Sequence, residues 1–513
     1  MKRLTRTRKL FGFLRELRYE LFDDSFQTEL ESMYRQTGAG KGPLPPALLA
    51  MVVLLQAYHG ISDAEAVELS VVDLRWQMVL DRLGTTEPAF SQGALSDFRA
   101  RLIKHDMDQR LLERTVELAR KSKGFDWKKL PKTLRVAMDS SPLEGAGRVE
   151  DTINLLAHAA RNVLKCVAML LECSVREIAV EAGAPLLLGS SIKKELDLDW
   201  SDSEKKRGAI VTLVEQLDAL EAWIRENLPS DMLQPPLAKL LETLRQLRDQ
   251  DLEPDPSGGG PRIRRGVAPD RRVSVEDPDM RHGRKSKSKR FNGYKRHIAA
   301  DLDTDLILAC AVTPANRPEE QAASNLQADI AALSLDRPVQ QLHIDRGYIK
   351  SPAVGDTLDA RGEVVCRPWV PHNDTLFTKR DFIINMRDRT ITCPAGKTEQ
   401  FTTGTVVEFD PEKCARCTLR LLCTTAREGA GRTVNIAEDE QLQHRLRKLT
   451  AGPAGRARLR ERVAIEHRLA HIAQKQGRRA RYRGLRNNLF DLRRSATVLN
   501  LETIHRCETA RAA

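Results

Sequence analysis

A chain of 513 residues is too long for one ordinary core, and 41% hydrophobic with 30% charged residues describes a soluble protein of several packed units. Nine cysteines in this length exclude a disulfide scaffold, and the longest aliphatic run, residues 47–55, is far short of the ~20 residues that span a bilayer. A formal net charge of +12 and a pI near 9.3 point to a polyanionic partner. That charge is concentrated: residues 455–513 hold fifteen Lys/Arg against five Asp/Glu, and residues 281–296 hold eight with no acid. Basic charge focused in short stretches is the footprint of a nucleic-acid binder, while a solvated basic face is the plain alternative. The N-terminus is basic but lacks a following apolar core and cleavage site, so a cytoplasmic protein with no membrane partner is expected.

Residues 1–125 read as helical. Pro43, Pro45 and Pro46 introduce the apolar run 48–55, Ser62 with Glu65 forms a capping box, and Leu95, Phe98 and Leu102 after Ser91 share a helical face. Short helices with tight turns fit a helix-turn-helix unit and an ordinary bundle equally. A first strand covers residues 133–139 and ends at Asp139. A long helical segment follows, with faces marked by Leu155, Val163 and Val167 and by Leu213, Leu217 and Leu220. Residues 253–260, rich in proline, glycine and acid, read as a linker. A hairpin is predicted over 294–300 and 306–312, a helix over 322–333, and strands over 339–344 and 363–367. Residues 376–435 are short-stranded and irregular. Helices over 453–476 and 486–500 close the chain.

The order is α/β, with one insertion after the first strand and another before the last helices. Three carboxylates stand out. Asp139 and Asp345 each close an apolar run, where ligands of open α/β sheets gather. Glu466 shares a helical stripe with Leu459, Val463, Ala470 and Ala473, and a carboxylate on a buried stripe needs a cation or hydrogen-bond donors. Arg462, four residues earlier, offers a purely structural partner. Alternatively the three acids hold two divalent metals for phosphoryl transfer, with short aspartates shared between ions and a longer glutamate completing the site.

Four stretches resemble the DDE-type insertion-sequence transposases. They are residues 136–143 (VAMDSSPL), 292–314 from Asn292-Gly293-Tyr294-Lys295 to Val312-Thr313-Pro314, 343–348 (HIDRGY), and 462–466 (RVAIE) followed by 480–485 (ARYRGL). Residues 44–120 resemble the InsH-type helical domain that precedes this core. The resemblance covers most of the chain outside residues 150–250, and its motifs are specific in their order and spacing.

It implies a ribonuclease-H-like mixed sheet interrupted by a helical and a cysteine-rich insertion and preceded by an all-helical domain. The expected units are a DNA-end-binding domain at 1–125, core segments at 130–149 and 280–370, a helical insertion and linker at 150–260, a cysteine-rich insertion at 371–450, and C-terminal helices at 451–513. It implies Asp139, Asp345 and Glu466 as ligands of two Mg²⁺ ions, with Mn²⁺ able to substitute. Cleavage at element ends and strand transfer to target DNA would follow, in a homo-oligomer that binds terminal inverted repeats in the prokaryotic nucleoid. A metal-dependent nuclease without strand transfer and an inactive DNA-binding remnant are the alternatives. Ser140 and Ser141 lack the arginine-rich surroundings of a serine recombinase. Arg462 matches the arginine four residues before the family's glutamate, and Arg346 lies in the second motif. The chain departs from the family where Leu459 replaces a frequent tyrosine and Ala473 a frequent lysine, with Lys475 only nearby.

Cys393, Cys414, Cys417 and Cys423 form a C-x20-C-x2-C-x5-C pattern that suits four-thiolate Zn²⁺, or else four reduced thiols. Cys166, Cys173, Cys310, Cys366 and Cys507 read as small core residues. Arg478, Arg479, Arg481, Arg483 and Arg486 around Tyr482 suit phosphate contact and base stacking, or a solubilising helix end. His297, His467 and His471 are assigned hydrogen-bonding roles, since Mg²⁺ favours oxygen.

Overall fold

The computed structural model describes residues 9–34, 43–286 and 288–512. Residues 1–8 and 35–42 of the expected N-terminal domain, and Lys287 of the basic run, lie outside the described residues. Helices α1 (Lys9–Leu21), α2 (Asp24–Glu31), α3 (Pro46–His59), α4 (Asp63–Val72), α5 (Leu74–Val79), α6 (Gln92–Lys104) and α7 (Met107–Lys121) open the fold. The capping box forms at α4: Ser62 Oγ accepts the Glu65 N–H at 3.2 Å, and Glu65 Oε2 accepts the Ser62 N–H at 2.8 Å. Ser91 caps α6, whose Leu95, Phe98 and Leu102 are buried. Helix α3 is apolar nearly all round because neighbouring helices and the C-terminal helix enclose it. No single helix among the described residues is long and apolar enough to cross a membrane.

Strand β1 (Leu134–Glu144) begins the main sheet and is longer than its apolar run suggests. Asp139 therefore stands mid-strand, not at a strand end. Helices α8 (Thr152–Leu170), α9 (Val175–Glu181), α10 (Ile192–Leu196), α11 (Ser203–Asn227) and α12 (Leu237–Asp251) follow and share a separate core built on Leu155, Val163, Leu213, Leu217 and Leu244. The stretch expected to be a linker instead closes a small hairpin of β2 (Leu252–Pro254) and β3 (Pro261–Ile263). Its proline and glycine serve the turn, which Arg207 braces through Asp255 at 2.7 Å.

The sheet continues with β4 (Arg281–Arg284), β5 (Arg290–Asp301) and β6 (Ile307–Pro314). Then come α13 (Ala323–Ala332), β7 (Val339–Ile344), α14 (Pro352–Asp359) and β8 (Glu363–Val365). The six strands run in the order β4-β5-β1-β7-β8, with β6 also on β5. β1–β7 and β7–β8 are parallel and the remaining pairs antiparallel. The expected hairpin is β5–β6, with β5 extended backward into the basic run.

Short strands β9 (Ile383–Asn385), β10 (Thr390–Thr392), β11 (Thr398–Gln400), β12 (Val406–Glu408) and β13 (Thr433–Asn435) follow. With the short helices α15 (Pro411–Ala415) and α16 (Arg420–Cys423) they surround a small core of Phe382, Ile391, Phe401, Phe409 and Val434. The chain ends in α17 (Glu440–Ala451), α18 (Pro453–Glu461), α19 (Val463–Gln476) and α20 (Leu485–Ala512). The helix expected over 453–476 is thus broken beside Arg462. Ile465, Leu469 and Ile472 of α19 pack with Leu492, Ala496 and Leu499 of α20 on Ala137, Ile298 and Ile307 of the sheet. Val136, Met138, Leu342 and Ile344 instead join Leu326 of α13 and Val354 of α14.

Candidate active site

Alternation along β1 decides which way its acid points. Leu134, Val136 and Met138 enter the core shared with α13 and α14, whereas Ala137 packs against α19. Asp139 has the parity of Ala137 and so lies on the α19 side. The last parallel pair of β1 and β7 is Met138 with Ile344. Beyond it the two strands part, leaving Asp139 and Asp345 as neighbours at the divergence. Asp345 accepts the Arg346 N–H at 2.9 Å and starts a 3₁₀ turn, Arg346–Tyr348.

Glu466 lies in the first turn of α19, with its side chain 50% exposed. The expected buried stripe is wrong by about one position. Val463 and Ala470 are exposed, and the buried face is Ile465, Arg468, Leu469, Ile472 and Gln476. Burial therefore does not force a partner on Glu466. Arg462 provides one nonetheless: Nη2 donates to Glu466 Oε1 at 2.7 Å, while Nη1 donates to Asp139 Oδ2 at 2.8 Å. Burial pushes the Asp139 carboxyl up to about 6, with Arg462 pulling it down and Asp345 and Glu319 pushing it further up.

Glu319, in a 3₁₀ turn before α13, escaped notice in the sequence. It accepts the Ser140 hydroxyl at 2.7 Å and comes so close to Gly347 that a Cβ there would sit 2.1 Å from Glu319 Oε2. A side chain at Gly347 would therefore push the Glu319 carboxylate aside. The only hint was the position of Glu319 just after the hairpin motif. Tyr348 is fully buried, and its hydroxyl meets His297 Nδ1 at 2.6 Å while His297 Nε2 meets Thr313 Oγ1 at 2.9 Å. His297 has the expected hydrogen-bonding role, and it ties the Asp345 turn to β5.

Asp139, Asp345, Glu466, Glu319 and Arg462 line one cavity of about 630 Å³. Its rim carries Arg284, Lys285, Lys289 and Arg290 from the β4–β5 hairpin, together with Arg478. No ion pair engages these five side chains among the described residues, whereas Arg281 of the same run is held by Asp270 at 3.0 Å. Arg296 is buried and donates to Ser141 Oγ at 2.8 Å and to Gln476 Oε1 at 3.0 Å.

The remaining basic residues singled out in the sequence are engaged within the chain. Lys475 pairs with Glu502 at 2.8 Å, and Arg483 with Glu276 at 2.6 Å. Arg479 reaches the Gly145 and Ala146 carbonyls, Arg481 the Lys475 carbonyl, and Arg346 lies over the Trp369 ring. Tyr482 is half-buried between Arg99 and Arg494, which occupies its ring.

Cys393, Cys414, Cys417 and Cys423 line a second cavity of about 380 Å³. Burial pushes the Cys423 thiol up, and the other three thiols add to the shift against the pull of Arg432. Cys166, Cys310 and Cys366 are buried, while Cys173 and Cys507 are half-buried. No group of three or more His, Cys, Asp or Glu among the described residues stands at metal-ligand spacing.

Residues 392–505 match the family model described as Transposase DDE domain, and residues 3–101 match Transposase domain (DUF772). The first match contains Glu466 and the four clustered cysteines; Asp139 and Asp345 lie between the two matches. No curated protein matches the chain. No solved structure does either. Transposase family models thus match toward both ends of the chain and support a DDE-type insertion-sequence transposase, a family that acts on DNA by phosphoryl transfer.

Proposed function

We propose that this transposase cleaves DNA at element ends and joins the freed 3′-hydroxyl to target DNA, with Asp139, Asp345 and Glu466 as its catalytic carboxylates. The observation that carries this reading is their convergence on one cavity with a rim of unpaired basic side chains. The strand order supports a ribonuclease-H-like core: antiparallel β6-β5-β1 followed by parallel β7 and β8, with helices on both faces. The separate apolar clusters support a helical insertion at 150–260 and a cysteine-rich one at 371–450.

The three carboxylates offer the oxygen donors Mg²⁺ takes but do not stand at metal-ligand spacing here, and Arg462 supplies the positive charge between Asp139 and Glu466. Asp139, Asp345 and Glu466 would hold two such ions, whose charge would activate the attacking oxygen and stabilise the leaving one. The chain contributes position. β1 and β7 hold the two aspartates on packed strands, α19 brings the glutamate from the flank, and Arg462 orients two of the three. Arg284, Lys285, Lys289, Arg290 and Arg478 hold phosphates beside them. The N-terminal helices bind the terminal inverted repeats, and pairing two ends requires a homo-oligomer. The four cysteines line one cavity, and we propose that they hold a structural Zn²⁺ once drawn to ligand spacing.

Purified protein, labelled element ends, target DNA and Mg²⁺ test this directly. The native chain should give cleaved and joined products, and Glu466→Gln should lower both at least a hundredfold while DNA binding persists. Cleavage without joining would point to a nuclease, and binding without cleavage to an inactive remnant. Joining retained in Glu466→Gln would refute its assignment.

A further inference from the structure

Two grooves meet at the carboxylates. Asp345, Arg462 and Glu466 line the cavity described above and also a second one of about 590 Å³. The walls of the second come from different parts of the chain: Arg346 after β7, Arg367 and Arg380 between β8 and β9, and Arg456 and Arg460 on α18. None of these five arginines makes an ion pair among the described residues; Arg456 donates to the Thr450 and Ala451 carbonyls and Arg346 lies over the Trp369 ring, which leaves Arg367, Arg380 and Arg460 as the uncommitted guanidiniums. Nearby arginines that face elsewhere are paired: Arg458 with Glu363, and Arg135 with Glu461 and Asp303. Asp345 and Glu466 are the only acids lining this groove among the described residues. Duplex DNA presents about one negative charge per 1.7 Å of axis, and unpaired guanidiniums along an open groove suit that phosphate array.

The two grooves differ in their relation to the N-terminal helices. Arg478 lines the first. Three residues on, Arg481 reaches the Lys475 carbonyl beside Gly60, and Lys475 lies 4.6 Å over the Tyr58 ring. Arg478 on the rim of the first groove is thus three residues from a contact with the end of α3, in the domain proposed to bind element ends. The second is walled by α18 and the segment after β8.

We propose that the first groove holds the cleaved element end and the second holds the target duplex, so that the shared carboxylates face both strands to be joined. This rests on the strand-transfer reading above. Joining needs two DNA substrates at one set of acids, and hydrolysis alone needs only one.

Two charge-removal variants separate the grooves: Arg367→Gln/Arg380→Gln/Arg460→Gln in the second, and Arg284→Gln/Lys285→Gln/Lys289→Gln in the first. Arg367, Arg380 and Arg460 are exposed and make no side-chain hydrogen bond among the described residues, so folding should survive their loss. In the assay with labelled ends and target, the second-groove variant should lower the ratio of joined to cleaved product at least tenfold. The first-groove variant should lower both products together. With the element end prebound, the dependence of log target affinity on log salt should lose roughly 0.9 for each phosphate contact removed in the second groove. An unchanged ratio and salt slope in a chain that still cleaves and joins would overturn this assignment alone. Native protein that cleaves but never joins would overturn both it and the strand-transfer reading.

Discussion

Arg462 Nη1 lies 2.8 Å from Asp139 Oδ2, while the other arm of the same guanidinium holds Glu466. One cation thus sits between two of the three acids that the proposed chemistry requires. Arg462→Ala should lower the stability of the metal-free chain by about 1–3 kcal/mol, the scale of charge-assisted hydrogen bonds beside a half-buried carboxylate. Added Mg²⁺ or Mn²⁺ should then raise the melting temperature of this variant more than that of the native chain. An equal shift in both would show that the guanidinium and the divalent ion do not share a place.

The four cysteines predict a separable effect. Replacing Cys414 and Cys417 by serine should lower bound zinc from about one ion per chain toward zero and destabilise the module around β9–β13. Elemental analysis and differential scanning calorimetry measure this, and unchanged metal content with unchanged melting would leave four ordinary thiols.

Acid should weaken the fold through two buried imidazoles. Burial lowers His297 to about 3 and His343 to about 4. Both are neutral when folded, and the unfolded chain takes up their protons first as pH falls below the ordinary value near 6.5. Their contribution is complete above about pH 6.5 and is lost progressively toward pH 4 for His343 and pH 3 for His297, with a slope of up to about 1.4 kcal/mol per pH unit for each group. Urea titrations across that window should show a smaller slope in His297→Gln than in the native chain.

The N-terminal helices are fastened to α20 by a charge cluster. Asp108, fully buried, pairs with Arg486 and Arg493, and Arg493 also reaches Asp329 at 3.4 Å. Asp108→Ala leaves the buried Arg493 guanidinium with Asp329 and the more distant Asp106 in place of three acids and should cost about 3 kcal/mol. Asp108→Asn, which can still accept a hydrogen bond, should cost less. Chemical denaturation ranks the two.

Much of the candidate site can be picked out in the sequence, by unequal routes. Asp345 ends a short buried strand, and chain direction alone reveals it. Asp139 was found for a partly mistaken reason: the apolar run stops there, yet β1 continues on antiparallel pairing with β5 after β7 has diverged. Partial burial of residues 139–142 erases the alternation that would have shown this. Glu466 was found by motif, while the stripe argument failed because Arg468 and Gln476 take buried places on α19. Glu319 and the second groove depend on contacts between distant segments, which no local spacing records. The arginines after Gly477 show the same limit, since charge counts cannot tell a free guanidinium from one committed to Gly145 or Glu276.

Helix α20 runs unbroken for 28 residues and packs on β6, α19, α7 and α3. It joins the N-terminal helices to the sheet that carries Asp139, and we predict that it keeps the distance between them fixed. If the N-terminal helices bind element ends as proposed, the cut should fall a set number of base pairs from the bound site. One inserted base pair moves the scissile phosphate about 3.4 Å along the axis and about 35° around it, and should suppress cleavage more than a base change in the spacer does.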